Sequence, residues 1–133
     1  LDVTTRLTIA EKIVNEAAKF GIPLEDIVID PLAMAVASSD KAGMSALQAL
    51  QEVRSKFGVN QTIGASNVSF GLPDRPFINS VFLSMAMICG LTCPITDPTV
   101  CVVREALLIS DLMLGKDEFA MNFITTYREQ HPD

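Results

Sequence analysis

Three short apolar runs, each closed by polar residues and each followed by a longer helical pattern, constrain this chain more than any other feature. They are Asp26-Ile27-Val28-Ile29-Asp30-Pro31, Gln61-Thr62-Ile63-Gly64-Ala65-Ser66 and Cys93-Pro94-Ile95-Thr96-Asp97-Pro98. The first, short and continuously apolar, suits a parallel strand buried on both faces. Small residues in the second would let a ligand or a neighbouring chain come close. Between the runs, apolar residues recur at helical spacing. Leu47, Leu50, Val53 and Phe57 mark one helix, capped near Ser39 or Asp40 and stopped at Gly58. Another starts near Asp74 with Pro76 in its first turn and runs through Ile78, Val81, Phe82, Met85, Ala86 and Ile88 to Gly90. Ahead of the first strand, Thr8-Ile9-Ala10-Glu11 reads as a capping box, and the helix it opens ends at Gly21 and Pro23. After the third strand come a helix, a break at Gly115, and a terminal helix through Phe119, Phe123 and Tyr127.

The order is therefore α-βα-βα-βα. Strand starts near residues 27, 62 and 93 lie about 31 to 35 residues apart. An eight-unit (β/α)₈ TIM barrel of ~250 residues has about that period. Three parallel strands cannot close a barrel. The expectation is an α/β fold in which residues 1–133 form the C-terminal half of one barrel domain, its N-terminal strands lying outside this chain. A small open α/β sheet is the alternative, without a Walker loop or G-x-G-x-x-G fingerprint to make it a nucleotide binder. A half-barrel exposes sheet edges and apolar helix faces, so pairing with a second copy or with the missing half is expected.

Composition narrows the class. Hydrophobic residues make up 49% and charged residues 20% of the 133, the balance of a globular chain. No apolar run approaches the ~20 residues of a membrane span. The net charge of −6 and the scattered basic residues argue against a nucleic-acid partner. The N-terminus is neither a signal nor a transit peptide and lacks a starting Met, as in a fragment or a processed piece. Cys89, Cys93 and Cys101 form no disulfide framework and no zinc pattern, and the single His131 is near the C-terminus. Buried free thiols in a reducing cytoplasm are the expectation, with no protein-bound metal.

All three strand ends are polar: Asp30, Ser66-Asn67 and Thr96-Asp97. In a barrel such ends converge on one mouth. Each could instead cap the next helix or turn. A carboxylate accepts two parallel N–H bonds from a planar amidine-like edge, of the kind a pterin presents. An Asn carboxamide both donates and accepts, so it can follow a ring nitrogen through a change of protonation. Arg75 could hold a carboxylate tail or be a solvated helix-start residue. The stripe Phe77, Ile78, Val81, Phe82, Met85 and Ile88 reads as core rather than as a docking surface. Glu25-Asp26 reads as solvated.

Asp30-Pro31-Leu32, the segment from Ser66-Asn67-Val68-Ser69-Phe70 to Asp74-Arg75-Pro76, Asn79, Phe82-Leu83-Ser84-Met85-Ala86 and Ile95-Thr96-Asp97-Pro98 resemble the pterin-binding domains of corrinoid-dependent methyltransferases. That family includes methyltetrahydrofolate:corrinoid protein methyltransferases and the folate domain of methionine synthase. The resemblance covers essentially the whole chain as the C-terminal half of the family's barrel. It implies methyl transfer between N5 of tetrahydrofolate and the cobalt of a cobalamin carried by a separate corrinoid protein or domain. Asp30 would bind the pterin, Asn67 would hydrogen-bond N5, and Arg75 would lie near the folate, with Ser66 and Asp97 at the same mouth. Phe70 stands where members acting on corrinoid iron-sulfur protein often carry Gln, and is closer to the methionine synthase pattern. The family also uses an Asp and an Asn from the N-terminal half of the barrel, so this chain carries part of a site. Dihydropteroate synthase, a pterin enzyme on a similar barrel, is the nearest enzyme alternative. Its Ser-Arg-Lys segment and Gly-rich run are replaced here by Ser66-Asn67-Val68 and Leu32-Ala33-Met34. A non-catalytic half-barrel that associates with a partner chain is the third reading.

Overall fold

The computed structural model describes residues 2–132. Helix α1 (Val3–Lys19) starts at Asp2, whose Oδ1 accepts from the Thr5 N–H at 2.7 Å. The expected capping box is thus overturned. Nothing between Asp2 and Thr8 breaks a helix, so Thr8 lies inside α1 and its hydroxyl donates back to the Thr4 carbonyl. The first strand, β1 (Val28–Ile29), is shorter than expected because the chain turns at Asp30. Helix α2 (Ala42–Phe57) begins just beyond Ser39 and Asp40, with no side-chain cap, and ends at Gly58, whose φ of 66° is the left-handed conformation glycine adopts most easily.

Strands β2 (Asn60–Gly64) and β3 (Cys93–Ile95) flank α3 (Arg75–Cys89). Asp74 and Gly90 bound α3 as expected, and Pro76 sits in its first turn. Helix α4 (Cys101–Met113) breaks at Gly115, and α5 (Met121–Gln130) follows. Phe119 lies outside α5, in a 3₁₀ turn at Glu118–Ala120.

The three strands form a parallel sheet in the order β1-β2-β3. Val28 pairs with Asn60 and Thr62 with Cys93. Among the described residues the sheet is covered on one face only. Gln61 and Ile63 of β2 are fully buried, while Asn60, Thr62 and Gly64 on the other face are partly exposed. Neighbouring strands continue that open face, with Val28 51% and Ile95 61% exposed. The expectation that β1 is buried on both faces is therefore corrected: Ile29 is buried and Val28 is not.

The covered face builds the main core from Leu47 and Leu50 of α2, Ile63 of β2, Leu83 and Ala86 of α3, and Leu91. Each such Leu or Ile contributes about 1.5–3 kcal/mol through burial. A second cluster joins Ala10 of α1 to Ile27, Ile29, Val53 and Val59. One polar residue sits among them. The Gln61 carboxamide donates to the Leu50 carbonyl at 2.9 Å and the Gly90 carbonyl at 3.1 Å, tying α2 to the end of α3. Gly90 must be glycine there: at φ 117° a Cβ would meet the Arg54 side chain at 2.8 Å.

Two further expectations are corrected. Ile78 and Phe82 pack toward the core, but Phe77, Val81, Met85 and Ile88 are exposed. They occupy the arc of α3 opposite Leu83 and Ala86, so α3 is apolar on both sides. The cysteines are not all buried either. Cys93 is exposed on the open sheet, Cys101 is exposed at the start of α4, and only Cys89 is half-buried. Burial pushes the Cys89 thiol pKa up. That of Cys101 is raised first by its hydrogen bond to Glu105. Among the described residues, no helix is long and apolar enough to cross a membrane.

Candidate functional site

Because the strands are parallel, their C-terminal ends lie along one edge of the sheet, which brings Asp30, Ser66-Asn67 and Thr96-Asp97 to that edge. The two aspartates at its sides do similar local work. Asp30 Oδ1 accepts from the Leu32 N–H at 2.8 Å, holding Leu32 in the left-handed region at φ 66°. Asp97 Oδ1 accepts from both the Thr99 N–H at 2.8 Å and the Thr99 hydroxyl at 2.7 Å. These two bonds, the hydroxyl's first, hold the Asp97 carboxyl below its ordinary pKa. In each carboxylate the turn uses Oδ1 and leaves Oδ2 without a described partner.

The middle strand end is built differently. After Gly64 the chain makes a 3₁₀ turn at Ala65–Asn67. Ala65 is buried beneath it, and Ser66 and Asn67 are exposed. A Cβ at Gly64 would lie 3.2 Å from Asn67 Nδ2, so the Asn67 carboxamide folds back over Gly64 on the open face of the sheet. None of the hydrogen bonds described within this loop engages that carboxamide.

Arg75 closes the loop from the other side. Its Nη2 donates to the Ser66 carbonyl at 2.8 Å and its Nε to the Ser69 hydroxyl at 3.1 Å. Its guanidinium also stacks over the Phe70 ring at 5.8 Å. The fully buried Ser69, which sequence reasoning left without a role, is thus an anchor of the loop. No local pattern marks it, because its partner is six residues on.

Ser66, Arg75, Asn79, Thr96 and Asp97 line one open cleft of about 420 Å³, floored by Ile95, Val100 and Val103. Asn79 places a buried Oδ1 there without a hydrogen-bond partner. Asp30 lies apart, in an apolar groove of about 400 Å³ between α1 and β1 that includes Ile9, Ile13, Val28 and Leu32. Three of the five expected site residues therefore share a cleft, Asn67 stands over the open sheet, and Asp30 belongs to the groove at the sheet edge.

A parallel sheet with helices on one face and carboxylate and carboxamide groups along its C-terminal edge defines an α/β protein whose polar groups gather at the strand ends. The chain belongs to the pterin binding enzyme family, whose sequence pattern matches residues 2–97. It is 27% identical over 128 residues to the methylcorrinoid:tetrahydrofolate methyltransferase of Eubacterium limosum, an alignment covering 96% of this chain and 47% of that protein. It is 33% identical over 97 residues to the methionine synthase of Mycobacterium leprae, covering 67% of this chain and 8% of that protein. The methionine synthase of Mycobacterium tuberculosis gives a similar match, 33% over 94 residues. The chain thus spans about half the length, 47%, of one curated relative and a small fraction of the others.

Proposed function

We propose that this chain supplies the C-terminal half of a pterin-binding (β/α)₈ barrel that transfers a methyl group between N5 of tetrahydrofolate and a corrinoid on another protein or domain. In this reading, residues 1–133 belong to one barrel domain, and the remaining strands cover Val28, Ile95 and the groove at β1. Parallel sheets need cover on both faces, and this one has cover on one.

The observation that carries the reading is the Asn67 carboxamide, folded over Gly64 on the open sheet at the strand ends and free of loop hydrogen bonds. Asp30 Oδ2, at the same edge, accepts from the amidine-like edge of the pterin. A tertiary amine is a poor leaving group. As the methyl–N5 bond breaks, its electron pair stays on nitrogen, and N5 must gain hydrogen bonding or a proton to carry it. A carboxamide can serve N5 both before and after that change, because it offers a donor and an acceptor. A bond that strengthens as the transition state forms lowers the barrier. The corrinoid, carried by the partner, is the other methyl-exchanging reactant.

Titration with 5-methyltetrahydrofolate beside an Asn67→Ala variant tests the reading. Saturable binding weakened by the substitution is expected. Equal binding together with equal methyl-transfer rates in both forms overturns the role of Asn67. No binding by a folded chain, even with the N-terminal half supplied in trans, overturns the pterin site itself.

A further inference from the structure

We propose that Arg75 is the positioning residue of the Asn67 turn, fixing the carboxamide over Gly64 from the cleft side of the loop. The inference rests on the reading that Asn67 serves N5. Three observations carry it. The first is reach: the Arg75 fork bridges two acceptors on either side of Asn67, the Ser66 carbonyl at 2.8 Å and the Ser69 hydroxyl at 3.1 Å. The second is anchoring. Ser69 is fully buried, its hydroxyl also donates to the Ser66 carbonyl at 3.3 Å, and the Val36 N–H pins the Val68 carbonyl at 3.0 Å. Removing the guanidinium leaves the Ser66 carbonyl with only the longer of its two bonds.

The third is that the start of α3 breaks two local rules. Asp74 stands at φ 50°, a left-handed conformation that costs a non-glycine residue, and its side chain makes no capping bond. Arg75 places a cation at the positive end of the helix, where an anion would be favoured. Local helix preference does not explain that placement, whereas closure of the loop does. Phe70, stacked on the guanidinium at 5.8 Å, limits its freedom further. With Nε and Nη2 engaged by the loop, the guanidinium is committed to holding the Asn67 turn.

The test is a double-mutant cycle in the full-length protein, following methyl transfer from 5-methyltetrahydrofolate to free cob(I)alamin by absorbance, together with amide hydrogen exchange. Arg75→Ala should lower kcat about 10- to 100-fold, the scale of a misplaced reacting group. KM for methyltetrahydrofolate should rise no further than it does in Asn67→Ala. Arg75→Lys should recover little of the loss, because an ammonium cannot bridge both acceptors as a fork does. In the Asn67→Ala background, Arg75→Ala should cost nothing further. Multiplying effects, or a rise in KM alone, would show that Arg75 touches substrate and overturn the proposal. Exchange at the Val68, Phe70 and Leu72 amides should quicken in Arg75→Ala, and unchanged exchange overturns it whatever the kinetics. If Asn67→Ala leaves kcat untouched, the N5 reading fails instead, and exchange alone decides whether Arg75 clamps the turn.

Discussion

The two faces of the sheet are made of similar residues and do different work. Ile63 and Ile29 lie on the covered face and are buried, while Ile95 and Val28 lie on the open face and are more than half exposed. One face holds the fold together through helix packing. The other leaves glycine, threonine and a carboxamide where a ligand or further strands can approach. Side-chain hydrophobicity alone does not separate the faces, so stability and function should separate under mutation.

The largest contrast is expected between Leu83→Ala and Ile95→Ala. The first opens a cavity in the core and should lose about 2–5 kcal/mol in denaturant unfolding. The second should lose no more than about 0.5 kcal/mol, as for an exposed site. A large loss at Ile95 in the full-length protein, absent in this chain alone, would show that further strands cover the open face. Next comes Gln61→Leu, which removes the side-chain donor shared by the Leu50 and Gly90 carbonyls and should cost about 1–3 kcal/mol. An unchanged midpoint would assign that junction to packing alone.

Gly64→Ala should hardly change unfolding, because Gly64 has an ordinary φ of −75°. It should weaken methyltetrahydrofolate binding, since the new methyl group presses on Asn67 Nδ2 from 3.2 Å. Equal affinity would show that the carboxamide is not needed where it stands. The smallest effect is at Asp97. Its depressed pKa means that the Thr99 bonds add stability above the ordinary carboxyl pKa of 3.8, lost as pH falls through the lower folded value. Thr99→Val removes the larger cause and should return the Asp97 titration, followed by NMR, toward the ordinary value. No movement would make the backbone N–H the dominant partner.

Much of this architecture was legible in the residues. Gly58 and Gly90 end their helices where the pattern places them, and Asp74-Arg75-Pro76 opens α3. The turn at Asp97 is the local capping alternative that a polar residue before Pro98-Thr99 suggests. Asp30 uses one oxygen in the same way, although the apolar residues after it gave little sign of a turn. The small residues of the second strand and Asn67 at its end were each visible, but the contact between the carboxamide and Gly64 was not. Gln61 was read within an apolar run, and its burial had no local signal. Its two acceptors come from residues 11 before it and 29 after it.

The outer stripe of α3 was misread for a related reason. Periodicity finds apolar positions, but a helix with apolar residues on opposite arcs has no polar side to mark the outside. The sequence by itself determined the order of elements, the parallel sense of the sheet and the strand ends where polar groups gather. These follow from residue period, from glycine and proline conformation, and from helices joining successive strands. Only the tertiary structure decided which face of the sheet is covered, which arc of α3 points inward and that Arg75 turns back onto the Asn67 loop. Each depends on which surfaces meet, and that is set by packing between segments distant in the chain.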